Sequence, residues 1–201
     1  MKITIQPFGK KVFFFDSYGS YMQMSFTIQC DNSDMTITKM RLKANKKKSN
    51  QELHMIWGYL IPINSNFVDY NSLGKRAHPL KISKDGIEPF TINFYATDNK
   101  GSEFHQEVEK YRDKAQHVNV NEESVALEFA TEFDRFARER FFWEASAYEL
   151  DLEVLYNNGK SYIQKSNFVL SEDNEKLLLS NIAKIISRSD DVSFALVESD
   201  T

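Results

Sequence analysis

The feature that most constrains this chain is a strict alternation of apolar and polar residues near its N-terminus. The apolar members share one parity, with Gln, Ser or Thr between them: Met22, Met24, Phe26, Ile28 and Cys30. Successive side chains of an extended strand point to opposite faces of a sheet, so a period of two places all five on one face. The alternation therefore predicts a β-strand with one buried face.

Similar alternation predicts further strands on both sides of a central region. We expect them in 2–6, 11–16, 35–44, 52–63, 79–96, 148–156 and 162–170, with Pro7 ending the first. The apolar parity changes near Thr38 and Lys39, which indicates a β-bulge. Asn157-Asn158-Gly159-Lys160 is typical of a hairpin turn, because Asn and Gly tolerate positive φ.

The central region has a helical period instead. Phe104, Val108, Tyr111 and Ala115 recur at helical spacing. Residues 122–142 are rich in Glu, Ala and Arg and contain no Gly or Pro, which favours a helix, although alternation between Val125 and Phe133 leaves a strand open. Ser171 is expected to cap a last helix.

Together these elements predict a mainly β (α+β) protein with one domain over 1–201. The strands come from 1–98 and 147–170, a helical insertion covers 103–142, and a C-terminal helix covers 171–187. Short strands at this spacing are similar in rhythm to immunoglobulin-like sandwiches, so an immunoglobulin-like or related β-sandwich is the expected architecture.

The net charge and the cysteine content indicate which ligands and which cellular location to expect. The formal net charge of −4 provides no general attraction to nucleic acid or to an anionic membrane. Cys30 is the single cysteine, so no intrachain disulfide can form, and a reducing, cytoplasmic location is expected. No apolar run approaches the length of a membrane span.

The first candidate site is a column of possible metal ligands on the predicted helix. His105, Glu109, Asp113 and His117 follow one another at intervals of four residues. Imidazole and carboxylate groups are ligands for zinc and other divalent metals. The alternative is that this column is the solvated shoulder of the buried helix face, since one straight helix seldom supplies four ligands to one ion.

The second candidate site is a basic stretch that could bind an anion or a partner. It contains Arg41, Lys43, Lys46, Lys47 and Lys48, with no acidic residue among them. Such a patch could neutralise phosphates of a nucleic acid. The alternative is a solvated strand whose lysines prevent edge-to-edge pairing.

Two further features have structural as well as functional interpretations. Acidic residues are concentrated in 122–153 and could face a basic partner, including the lysine strand of a second copy. Phe141, Phe142 and Trp143 form an apolar knot that is expected to pack into the core, with an exposed binding patch as the alternative.

No familiar catalytic motif is present. The sequence has no glycine-rich phosphate loop, no Gly-x-Ser-x-Gly, no His-Glu-x-x-His and no paired Cys-x-x-Cys. We therefore expect a non-catalytic protein-binding or assembly module that uses a protein partner or self-association and no cofactor. The alternatives are a metal-dependent protein or enzyme centred on His105 and His117, or a weak nucleic-acid or phosphate binder through 39–48.

Overall fold

A computed structural model of the protein describes residues 2–61, 75–96, 99–117, 123–157, 159–187 and 192–198. Ten strands are assigned in these ranges: β1 (Lys2–Asp16), β2 (Gly19–Asp31), β3 (Met35–Lys46), β4 (Gln51–Ile61), β5 (Lys75–Arg76), β6 (Leu80–Ile82), β7 (Ile87–Ala96), β8 (Ser146–Tyr156), β9 (Lys160–Leu170) and β10 (Ala195–Glu198). The helices are α1 (Asn99–His117), α2 (Glu123–Arg138), α3 (Glu172–Leu179) and α4 (Asn181–Ser187). None of these helices has the length and apolar character needed to cross a lipid bilayer.

All described strands belong to one curled antiparallel sheet that forms a half-barrel. Its main order is β10-β1-β2-β7-β4-β3-β8-β9, while β5 pairs with β4 and β6 pairs with β3. The curl brings Phe13 of β1 to Phe168 of β9, with 4.7 Å between ring centroids. The protein is therefore mainly β, as predicted, whereas the immunoglobulin-like sandwich is not confirmed because the described strands join one sheet rather than two.

The strand predictions hold best where alternation is longest. All five apolar residues of the first pattern, on β2, are buried. The predicted bulge is confirmed, because Ile37 pairs with Tyr156 and Lys39 with Leu155, which leaves Thr38 as the extra residue. The hairpin between β8 and β9 is also confirmed, with positive φ at Asn157 and Gly159.

The prediction that Pro7 ends the first strand is wrong. β1 runs through Pro7, which pairs with Phe26, and its register shifts only between Phe8 and Val12. β10 pairs with β1 from Lys10 to Phe13 alone. Pro7 therefore lies where β1 has one described neighbour, and a missing backbone N–H is tolerated on such an unpaired side.

The C-terminal helical region is divided in two. The Ser171 cap is confirmed, since the Asn174 backbone N–H donates to Ser171 Oγ at 3.2 Å. A single helix over 171–187 was expected, but α3 ends before Ser180 and α4 begins at Asn181. Asn181 is fully buried, and its Nδ2 donates to the carbonyl oxygens of Phe15 (3.0 Å) and Ser193 (2.8 Å), which ties the start of α4 to β1.

Helices α1 and α2 occupy the region where the helical insertion was predicted. Helix α1 contacts β2 and β7 and buries Phe104, Val108 and Tyr111. Helix α2 buries Phe133 and Ala137. The alternation between Val125 and Phe133 had left a strand open, but this segment is helical. The side chains of 123–127 lie outside the described residues. The two helices therefore cover the end of the half-barrel where β1 meets β2 and β3 meets β4.

Candidate functional site

A cleft of about 1070 Å³ opens at the helix-covered end of the half-barrel. Its described walls come from the β1–β2 turn, the start of β4, the end of β7, helix α1, the end of helix α2 and the segment that follows it. They comprise Tyr18, Gly19, Ser20, Gln51, Glu52, Leu53, Ala96, Glu103, Phe104, Glu107, Phe136, Glu139, Arg140, Phe141 and Phe142. Its volume slightly exceeds the roughly 300–1,000 Å³ of ligand pockets.

The cleft wall contains several aromatic residues, most of which are buried. Phe141 and Phe142 are buried, and the Phe142 backbone N–H donates to Ser20 Oγ at 3.1 Å. The rings of Phe104 and Phe136 stack with an interplanar angle of 3° and 5.5 Å between centroids. The expectation that the 141–143 knot packs into the core is confirmed, and two of its rings also line the cleft.

The lining of the cleft is also acidic. It contains four carboxylates, those of Glu52, Glu103, Glu107 and Glu139, and one guanidinium, that of Arg140. A hydrogen bond from Lys43, at 2.6 Å, holds the pKa of Glu52 below its usual range, and His54 adds to this effect. Glu52 is therefore ionised at neutral pH and forms an ion pair with Lys43 at the cleft wall.

A buried lysine supports the aromatic residues of the wall from behind. Lys46 has only 1% of its surface exposed, and its Nζ lies 5.2 Å from the Phe142 ring centroid. The same Nζ donates to Gln51 Oε1 at 2.9 Å and lies 3.2 Å from Glu144 Oε2. These contacts fix the orientation of Phe142 and Gln51, both of which line the cleft.

The basic stretch singled out from the sequence does not form an open cationic patch. Arg41 pairs with Glu153 at 3.1 Å, Lys43 with Glu52, and Lys47 with Glu149 at 3.1 Å. Only Lys48 among the five predicted residues has no salt bridge in the part of the chain that the structure describes. Strand β3 lies between β4 and β8, whose outward positions carry glutamates, so anion binding by this stretch stays a prediction.

These salt bridges also involve acidic residues of the 122–153 region. Glu144, Glu149 and Glu153 contact basic side chains at 41–47 of their own chain. These acids therefore pair with the basic strand of their own chain, whereas the sequence suggested that they face the lysine strand of a second copy. Self-association itself stays a prediction.

The possible metal ligands are spread along α1. His105 is half-buried, its Nδ1 lies 3.1 Å from the Ser17 carbonyl oxygen, and its ring stacks on Tyr18. Glu109 pairs with Arg112, while Asp113 and His117 are exposed. Among the described residues, no three or more His, Cys, Asp or Glu side chains are grouped so as to hold a metal ion.

The sequence contains one weak indication of the cleft, which is a spacing of residues and not a known motif. Glu103 and Glu107 stand one helical turn apart and flank Phe104, which is buried. Residues four apart share a helix face, so this spacing places two acids beside a core aromatic. Glu52, Phe136 and the segment from 139 to 142 join them only through the fold.

No protein-family model matches this chain, and no curated protein matches it either. Among solved structures the chain is similar to one described as "Crystal structure of protein from Archaeoglobus fulgidus", with a TM-score of 0.33 and 4% sequence identity. The superposition covers 85% of this chain and 97% of that chain. A likeness at this level carries no argument, so the function of the cleft is argued from its own geometry.

Proposed function

We propose that this protein is a non-catalytic binding module whose cleft accepts a basic, partly apolar segment of a protein partner. The observation that carries the proposal is the meeting, in one cleft, of aromatic side chains with four carboxylates and a single guanidinium. A cytoplasmic location, expected from the single cysteine, belongs to the same proposal.

The charge of the cleft favours a cationic ligand. Glu52, Glu103, Glu107 and Glu139 outnumber Arg140 by four to one among the described ionisable side chains that line it. A cleft lined by one sign of charge, with low-dielectric walls, concentrates field lines and attracts ligands of the opposite sign. Lysine and arginine side chains of a partner have that sign.

The size and the aromatic residues favour a peptide segment over a small ion. A volume of about 1070 Å³ can hold several side chains. Phe136 is partly exposed and offers apolar surface to the aliphatic stem of a lysine or arginine, while Phe104, Phe141 and Phe142 are buried in the wall behind it.

The state of the carboxylates supports binding rather than catalysis. A general acid at neutral pH needs a raised pKa, whereas the pKa of Glu52 is lowered by Lys43. Glu107 pairs with Lys110, and Glu139 Oε2 lies 3.6 Å from Arg140 Nη1. Three of the four cleft carboxylates are therefore in ion pairs within the chain, and a cationic ligand competes with Lys43, Lys110 and Arg140 for them.

The test is binding of a fluorescein-labelled peptide of alternating arginine and leucine, followed by fluorescence anisotropy. We expect saturable binding that weakens as salt rises, because salt screens charges at exposed sites. The double variant Glu103→Gln/Glu107→Gln should bind about tenfold more weakly, since each exposed carboxylate contributes up to about 1 kcal/mol.

A matched control removes the same charge elsewhere. Glu88 and Glu128 are exposed and lie outside the cleft walls, so Glu88→Gln/Glu128→Gln changes net charge equally. This control should bind like the wild type. Equal weakening in both double variants would show that net charge alone attracts the peptide, and the proposed cleft would be abandoned.

A further inference from the structure

The cleft already contains one bound guanidinium, which belongs to the chain itself. The Arg140 guanidinium lies 4.1 Å from the centroid of the Phe136 ring. Its Nη1 donates to the Phe136 carbonyl oxygen at 3.2 Å and lies 3.6 Å from Glu139 Oε2. One side chain therefore contacts an aromatic face, a carbonyl oxygen and a carboxylate.

These partners match the chemistry of a guanidinium better than that of an ammonium. A guanidinium is planar and weakly hydrated, so it can stack on a ring while its N–H groups point outward to acceptors. An ammonium is a compact, strongly hydrated charge without a plane to stack. The local geometry therefore constitutes a guanidinium site.

The Phe136 ring is packed against other aromatic rings as well as against Arg140. It lies parallel to the Phe104 ring with 5.5 Å between centroids, and its centroid is 5.2 Å from that of the Tyr111 ring. Phe104 has 2% of its surface exposed and is packed against Phe15, which fixes its position. A ligand cation that stacks on the Phe136 ring therefore competes with Arg140 for the surface that these rings leave free.

Arg140 is placed so that it can leave. Its side chain is 46% exposed, and it is anchored by no contact to a distant element among those described above. Its contact with the Phe136 carbonyl caps the end of α2, which is a common role for a basic side chain. That role does not need the ring, whereas the stacking does.

We propose that the cleft recognises an arginine of the partner at Phe136 and Glu139, and that Arg140 occupies this position in the free protein as an intramolecular competitor. This inference rests on the proposed function, because it assigns one residue type of the partner to one part of the same cleft. A ligand arginine displaces Arg140, and the displaced side chain returns when the ligand leaves.

The test compares three labelled peptides that differ at one position within a leucine and serine background: arginine, lysine or citrulline. Citrulline keeps the planar shape of arginine but has no charge. The Arg140→Gln variant should bind the arginine peptide about tenfold more tightly than the wild type, since an exposed cation–π contact and a weak ion pair no longer compete. The lysine peptide should gain less, and the citrulline peptide should gain nothing.

The neighbouring arginine provides the matched control. Arg138 pairs with Asp134 at 2.6 Å and does not line the cleft. Arg138→Gln makes the same change of charge and should leave the affinity for the arginine peptide unchanged. If Arg140→Gln does not fold, Arg140→Lys, which keeps the charge but cannot stack as a plane, should show a smaller gain over the wild type.

The outcomes separate the two proposals. If the wild type binds the arginine peptide through Glu103 and Glu107 but Arg140→Gln binds no tighter, the competitor role is wrong and the proposed function stands. An equal gain for arginine and citrulline peptides also overturns the competitor role. If neither the wild type nor Arg140→Gln binds any of the peptides, both proposals fail.

Discussion

Asp16 illustrates how one residue couples the sheet to the helices. It ends β1 and accepts hydrogen bonds from the Tyr18 backbone N–H and the Tyr21 hydroxyl, both at 2.8 Å. Burial raises the pKa of Asp16 above its ordinary value near 3.8, although these hydrogen bonds and the nearby His105 and Arg112 act in the opposite direction. The folded protein therefore holds a proton on this carboxyl more tightly than the unfolded chain does.

This difference predicts a pH dependence of stability with a definite sign. A raised folded-state pKa contributes stability that is fully present below the unfolded pKa and is lost as pH rises through the folded pKa. Asp16→Asn cannot ionise, so the free energy of unfolding of the wild type should fall relative to this variant as pH rises from about 4 to 7. Urea denaturation over that range measures the difference.

Asp34 provides a control of opposite sign. Its pKa is lowered, first by a hydrogen bond from the Lys84 backbone N–H and then by Lys81. The wild type should therefore gain stability relative to Asp34→Asn as pH rises toward the ordinary pKa near 3.8, and the difference should stay constant above it. A difference for Asp16→Asn that does not vary with pH would contradict the role given to burial.

At the scale of elements, the bulge in β4 shows why one strand contains a glycine. Trp57 pairs with Phe94 and Tyr59 with Asn93, which leaves Gly58 as the extra residue. A Cβ at Gly58 would lie 2.5 Å from Cδ2 of Tyr95, whose ring also stacks on Tyr21. The strand can approach this ring closely only because position 58 has no side chain.

We therefore expect Gly58→Ala to destabilise the protein by about 1–3 kcal/mol, the usual range for overpacking. Chemical denaturation would measure the change in the free energy of unfolding. Because the two nearest atoms both belong to the Tyr95 ring, the double variant Gly58→Ala/Tyr95→Ala should cost less than the sum of the two single variants. Additive effects would show that the backbone, and not the ring, opposes the new methyl group.

At the scale of the whole molecule, an aromatic cluster connects β1, near one end of the strand order, with β9 at the other end. Trp143 is fully buried, its Nε1 donates to the Tyr21 carbonyl oxygen at 3.2 Å, and its ring contacts Phe13 of β1 and Phe168 of β9. The Tyr148 ring stacks on Phe168 at 4.8 Å. This cluster fills the interior where the sheet curls toward itself.

Trp143→Ala should accordingly reduce the free energy of unfolding by about 3–5 kcal/mol, as large-to-small changes in cores do. Trp143→Phe keeps most of the packing and loses the hydrogen bond, so its cost should be clearly smaller. Urea denaturation followed by far-UV circular dichroism measures both. Equal costs for the two variants would mean that the indole hydrogen bond, rather than the packing, matters at this position.

The local features of this protein can be predicted from its amino-acid sequence. Alternation identified β2 and its buried face, the parity change identified the bulge at Thr38, and Asn157 with Gly159 identified a hairpin. Each of these depends on residues close together in the chain, because side-chain direction in a strand and φ in a turn are local properties. The Ser171 cap can be predicted from the sequence for the same reason.

The contacts between distant segments depend on the three-dimensional fold and have no local signal in the sequence. Arg41 and Glu153 are 112 residues apart in the chain, yet they pair across β3 and β8 and change the meaning of a basic stretch. The cleft brings Glu52 of β4 to the wall that holds Phe136 and Arg140 after the half-barrel has formed. Strand order and register are set by the packing of the whole sheet, so no local pattern specifies them.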